Sequence, residues 1–243
     1  MAKRFAKYLS VLVAAFVLSS VGMVIYYRLA PVRITPLMVI RKAEACRQGR
    51  TLSVRQQWVP IEDISPALIA AVVNSEDAHF YEHSGFDMEA IANAYHINRA
   101  CGRIVMGGST ISQQTAKNVF CTPSRTYWRK ALEVYFTVLI EFLWGKERIM
   151  EVYLNVIELG DGVFGVEAAS QCYFQLPACS LSAENANRLC VMIPNPCSHQ
   201  KRYMEVFTGN TTGCEGNRDI PALSPHTCIT SRQGQQNHIL ITY

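Results

Sequence analysis

No charged side chain occurs between Tyr8 and Tyr27. A helix over that run, rising about 1.5 Å per residue, spans a bilayer core of roughly 30 Å. Residues 8–28 therefore read as a transmembrane anchor, with residues 1–7 as its cytoplasmic flank carrying Lys3, Arg4 and Lys7. Arg28, Arg33, Arg41 and Lys42 follow, so the charge bias is not clean. Small residues in the run admit a cleaved signal peptide as the rival reading. Its length and the aromatic end at Tyr26-Tyr27 favour an anchor that is retained.

The rest of the chain must then fold beside a membrane. With 49% apolar content in 243 residues it can bury the core of one domain of ordinary size. Residues 29–58, with Pro31, Pro36 and scattered basic residues, read as a connecting region, and 59–198 as the folded domain. After Cys197 the composition turns to Gln, Asn, Thr, Ser and Gly without helical periodicity, so 199–243 reads as a polar tail. The net charge of +4 comes without a dense Lys/Arg block interleaved with aromatics, so nucleic-acid binding is not suggested. None of the nine cysteines forms a Cys-x-x-Cys pair, which leaves a zinc ribbon or thioredoxin-type site unsupported. Outside the cytoplasm some can pair, and the odd number leaves at least one free.

The densest chemistry lies in Glu76-Asp77-Ala78-His79-Phe80-Tyr81-Glu82-His83-Ser84-Gly85-Phe86-Asp87. Ser65-Pro66 supplies an N-cap and a first-turn proline. A helix from there puts Ile69, Val72, Val73 and Glu76 on one face. A carboxylate closing a buried face can take a proton from a hydroxyl; the plainer reading is a solvated residue at a fraying helix end. His79 to His83 also fits a His-x-x-Glu-His zinc pattern, but Ser84-Gly85 breaks the helix that such a site needs. Asp87 is expected to cap a helix with the stripe Met88, Ile91, Ala92 and Tyr95, ending near Gly102.

The second stretch is Gly107 to Asn118. Gly107-Gly108 permits a tight turn, Ser109 or Thr110 caps a helix, and Thr110 and Gln113 stand in capping-box spacing. A glycine-entered helix start favours an anion, and Gln113 and Lys117, four apart, point the same way. The Gly-Lys-Ser/Thr ending of a P-loop is missing. In the third stretch Arg129 and Glu133 have the spacing of an exposed ion pair, yet Val134-Tyr135-Phe136 follows and argues against a solvated face. The run to Gly145, interrupted by Glu141, is too short for a second span. Charges from Lys146 onward read as solubilising, with Glu151, Tyr153 and Asn155 as candidates for a site edge.

Taken in order, these stretches resemble the peptidoglycan glycosyltransferases, in particular the monofunctional members that lack a penicillin-binding domain. Glu-Asp-x-x-Phe-x-x-His-x-Gly is matched by Glu76 to Gly85, Gly-Gly-Ser-Thr-Ile-x-Gln-Gln by Gly107 to Gln114, and Arg-Lys-x-x-Glu by Arg129 to Glu133. Lys-x-x-Ile-x-Glu-x-Tyr-Leu-Asn is nearly matched by Lys146 to Asn155, and Arg188-Leu189 through Ile193-Pro194-Asn195-Pro196 resembles the last motif. The match covers about residues 36 to 197.

The resemblance implies a mostly α, lysozyme-like glycosyltransferase domain with one N-terminal transmembrane helix. It would lie on the periplasmic side of the bacterial inner membrane. It implies transfer of an undecaprenyl-diphosphate-linked glycan chain to the 4-hydroxyl of lipid II, giving β-1,4 linkages with inversion. Glu76 matches the general base and Glu133 the second essential acid, assigned to the diphosphate region or its metal. Lys117 and Arg125 match diphosphate-holding positions; Ser109, Gln113 and Gln114 line the cleft, and Arg129 and Lys130 belong to the same substrate-binding set. A divalent cation (Mg or Mn) at the diphosphate is the cofactor this allows, with no organic cofactor. Partners are lipid II, the growing glycan strand, the membrane, and division or elongation proteins. Asn185 and Asn187 depart from the family's small apolar residues, and the tail from its basic terminal helix. Two other readings stay open: a lysozyme-like hydrolase of finished glycan, and an inactive membrane-anchored partner of the cell-wall machinery.

Overall fold

The computed structural model describes residues 1–124, 126–194 and 196. The helices are α1 (Ala2–Leu29), α2 (Pro36–Arg47), α3 (Pro66–Glu76), α4 (Met88–Cys101), α5 (Ile111–Phe120), α6 (Tyr127–Leu143), α7 (Lys146–Val156), α8 (Val166–Phe174) and α9 (Ala183–Cys190). The strands β1 (Arg55–Gln56), β2 (Glu158–Gly160) and β3 (Val163–Phe164) form a small sheet in the order β1-β3-β2. β1 runs parallel to β3, and β2 antiparallel to it. The mostly helical architecture expected from the sequence is the one observed.

The core is built around α7. Ile149, Met150 and every residue from Val152 to Val156 are buried, so the second half of the helix sits inside the domain while the charges lie mainly in its first half. Helix α5 packs against both α6 and α7, while α3 packs against α9. Helix α3 starts as expected, with Ser65 at the N-cap and Pro66 following. The Ser65 hydroxyl, however, donates to Leu181 O at 2.8 Å instead of capping its own helix, and Ser65 N donates to Ala178 O at 3.1 Å. Segment 178–181 is itself secured: Ala178 N donates to Glu167 Oε2 at 2.7 Å, and Cys179, like Cys172, takes part in a disulfide.

The structure adds detail to several expectations. The connecting region is structured, since Thr35 caps α2 through Met38 N at 3.3 Å and β1 joins the sheet. In α4 the Asp87 cap and the left-handed Gly102 stop appear as expected, yet only Ala94 is buried. Met88 and Tyr95 of the expected stripe face out, because α4 lies at the edge and covers the 103–108 loop through Asn98. Asn187 is exposed and Asn185 half-buried, so they flank the α9 core face of Ala186, Leu189 and Cys190.

The charges of α7 prove structural. Lys146 bonds Glu141 at 2.7 Å and lies 4.6 Å over the Phe80 ring. Arg148 bonds Glu151 at 2.7 Å, stacks on Trp58, and donates to Tyr27 O at 2.8 Å and Ala30 O at 2.6 Å. Those carbonyls end α1, so its last turns are fastened to the domain. Trp144 Nε1 donates to Val24 O at 2.7 Å, and the Ser20 and Tyr135 hydroxyls meet at 2.6 Å. The expected tail at 199–243 lies outside the described residues.

Candidate active site

Asp77 ends α3 and organises the turn after it. Its carboxylate, nearly inaccessible, accepts from Ile111 N at 2.9 Å and from His83 Nε2 at 2.9 Å. Gly85 N donates to His83 Nδ1 at 3.1 Å, so Nε2 is the nitrogen that carries the proton toward Asp77. Thr110 Oγ donates to Gly85 O at 2.7 Å. Gly85 has φ +94°, and an added Cβ would stand 2.9 Å from Glu141 Cγ and Thr137 Cγ2, so only glycine fits. These bonds stitch the first motif to the start of α5. The two histidines are not on one helical turn, and their rings face different carboxylates, His79 bonding Asp87 at 2.8 Å. The zinc reading therefore loses its geometry.

Glu76 is half-buried at the last position of α3, four residues beyond the buried Val72 and eight beyond Leu68. That is the face expected to lead into the core. Gln114 Nε2 donates to Glu76 Oε2 at 2.9 Å, and Tyr153 Oη donates to Gln114 Oε1 at 3.2 Å. Gln113 turns the other way. It is buried and closes the capping box, its Oε1 accepting from Thr110 N at 3.1 Å, so it supports the helix start and does not line the cleft. Ser109 is exposed beside it, and its carbonyl lies 3.5 Å from Gln114 Nε2.

One turn along α5 stands Lys117. Among the described residues its ammonium has no hydrogen bond or ion pair. Burial depresses its pKa; Glu133 opposes that, Arg129 and Lys130 add to it, and Glu76 opposes it. Glu133 is buried on α6 and held by Arg129 Nη1 at 2.5 Å and Lys130 Nζ at 2.6 Å. Among the described residues Arg129 Nε is buried with no partner. The pair expected at Arg129 and Glu133 thus exists, but in the interior. Arg125 lies outside the described residues. A cavity of about 250 Å³ opens beside Gln114, Lys117 and Asn118, walled by Arg41, Glu158 and Pro194.

Of the candidate edge residues, only Tyr153 reaches the site. Glu151 faces Arg148 and the end of α1, and Asn155 clasps Val59, accepting from its N–H at 2.9 Å and donating to its carbonyl at 2.8 Å. The role of Asp77 was missed in the sequence. For Tyr153, already a candidate for the site edge, the signal was a hydroxyl within the apolar run Val152 to Leu154, where it needs a partner. Nothing local marks Arg41 as the partner of Glu158, at 2.9 Å, because 117 residues separate them.

A half-buried carboxylate set against a group of cations is the layout of an enzyme that transfers a group away from an anionic leaving group. Residues 44–211 match the family described as Transglycosylase, and the chain belongs to that family. It is 52% identical over 184 residues to the biosynthetic peptidoglycan transglycosylase of Bdellovibrio bacteriovorus, covering 76% of this chain and 73% of the relative. The protein of that description from Caulobacter vibrioides is 54% identical, over 71% of this chain and 72% of its own length. That from Chromobacterium violaceum is 45% identical over 96% of this chain and 97% of its own. The chain is thus a transglycosylase, a glycosyltransferase built on the lysozyme-like helical fold.

Proposed function

We propose that this transglycosylase polymerises peptidoglycan, moving an undecaprenyl-diphosphate-linked glycan chain onto the 4-hydroxyl of lipid II. Glu76 takes the hydroxyl proton as the oxygen bonds to the donor's anomeric carbon. The bond from that carbon to the diphosphate breaks, its electron pair leaving with undecaprenyl diphosphate, and the α linkage becomes β-1,4 by inversion. The observation that carries the reading is Lys117, a half-buried cation without a partner among the described residues, which senses both Glu133 and Glu76. A departing diphosphate provides the anion that such a lysine lacks. Arg129 and Lys130 stand with it, and Arg125 is assigned there too. Their layout favours transfer over hydrolysis of finished glycan, which has no diphosphate to receive.

A divalent cation held by the protein does not fit this site. Both Glu133 oxygens are bound by Arg129 and Lys130, and no group of three possible ligands occurs among the described residues. Cationic side chains supply the positive charge instead. Placement on the periplasmic side of the inner membrane is supported by α1, long and apolar enough to span, and by the disulfide bonding of Cys172 and of Cys179, a modification of oxidising compartments.

The test is polymerisation of fluorescent lipid II by the detergent-purified full chain beside Glu76→Gln. The expected result is long, lysozyme-sensitive glycan from the parent and none from the variant. Polymer from both removes Glu76 as the base, and none from a folded parent sinks the reading.

A further inference from the structure

Among the described residues the Glu76 carboxylate is held by one side-chain bond, from Gln114 Nε2 at 2.9 Å. A glutamine amide is nearly symmetric in shape, so something must decide which end faces Glu76. Turned over, its oxygen would confront the carboxylate, two acceptors with no proton between them. Tyr153 prevents that. It is fully buried on the core helix α7, and its hydroxyl donates to Gln114 Oε1 at 3.2 Å. Gln114 Nε2 lies only 3.5 Å from Ser109 O, a contact too long to fix the amide alone.

We infer that Tyr153 is a positioning residue for the reaction: its buried hydroxyl orients the Gln114 amide, which in turn holds Oε2 of Glu76 and leaves Oε1 to receive the proton of the acceptor hydroxyl. This rests on Glu76 being the base. The elements suit the role, since α5 and α7 are packed together at the core while the end of α3, bearing Glu76, is bonded to α5. Tyr153 does not touch the substrate. It moves the acceptor of a proton by setting an amide one residue removed, so its loss acts on turnover and not on substrate affinity. Misplacing a reacting group slightly is enough to cost on the order of 10-fold or more in rate.

The experiment is steady-state lipid II polymerisation by the full chain in detergent, with Tyr153→Phe, Gln114→Ala, the double variant and Glu76→Gln, each checked by thermal melting. Tyr153→Phe is expected to lose about 10-fold in kcat with KM within about 2-fold. Added to Gln114→Ala it should cost nothing further, because the hydroxyl acts through that amide. Unchanged kcat in folded Tyr153→Phe overturns the inference, as do losses that multiply in the double variant. Should Tyr153→Phe not fold, Gln114→Glu replaces it: this side chain still accepts from Tyr153 but gives no proton to Glu76, and full kcat there overturns the inference equally. Glu76→Gln separates the two ideas. If it retains turnover, the base and the positioning role fall together; if it is inactive while Tyr153→Phe is normal, only the positioning role falls.

Discussion

Glu133 stands where three cations converge: Arg129 and Lys130 bind its two oxygens, and Lys117 senses its charge. Its first effect is on those neighbours, since a buried carboxylate lets cations gather that would otherwise repel one another. Glu133→Gln keeps the shape and removes the charge. Breaking a buried pair costs about 3–5 kcal/mol, and Lys130, half-exposed, brings the expectation here down to about 2 kcal/mol. The urea midpoint should fall by that amount with an unchanged slope, and polymerisation should fall with it as the cations spread apart. A midpoint equal to the parent's would show that the pair contributes nothing to the fold. Lys117, Arg129 and Glu133 were legible because their spacing falls on helical faces. What spacing could not reveal was the Arg129 Nε donor left without a partner among the described residues, which only burial exposes.

At the scale of elements, the start of α5 was readable from capping chemistry, and Asp87 and Gly102 bound α4 as their residue types require. The sequence did not tell that the α4 stripe faces outward, because amphipathic periodicity fixes a face and not what covers it. Nor did it tell that α7 is the central helix, since its Lys146, Glu147, Arg148 and Glu151 hide a buried run behind charges. The α4 cap also carries a pH prediction. The Asp87 hydrogen bond raises the pKa of His79 above its ordinary 6.5. The backbone bond from Ala90, then His79, lowers that of Asp87 below 3.8. The histidine's contribution is complete below its unfolded value and fades as pH rises through the folded one. The aspartate's is complete above its unfolded value and fades as pH falls through the folded one. The melting-temperature gap between the parent and His79→Gln should therefore be widest between pH 3.8 and 6.5 and close toward alkaline pH. A gap that is flat across pH would remove the pair from the stability of α4.

For the whole molecule, the question is whether α1 is a tether or a part of the fold. An uncharged run long enough to span a bilayer was plain in the sequence, but a cleaved signal shares that property. The structure differs from both simple pictures. Most of α1 is exposed, as a lipid-facing helix is in a protein alone, whereas its Val24, and Val32 just after it, are fully buried in the same core cluster as α7. Trp144 and Arg148 donate to its carbonyls from the other side of that junction. Sequence could not reveal this contact because about 120 residues separate its partners, as in the 2.7 Å bond from Trp144 to Val24. A chain beginning at residue 20 keeps the docked turns, and one beginning at residue 31 loses them. Fully burying a valine is worth about 1.5–3 kcal/mol, and each unmade hydrogen bond at a charged donor adds about 1.5 kcal/mol or more. In one detergent, the shorter chain should unfold at a urea midpoint lower by about 3–5 kcal/mol, while the longer one matches the full chain. Arg148→Met should fall between them, since it frees the carbonyls but keeps Val24 packed. Equal midpoints for all four proteins would make α1 a simple tether, and a signal cut at its end would then cost the domain nothing.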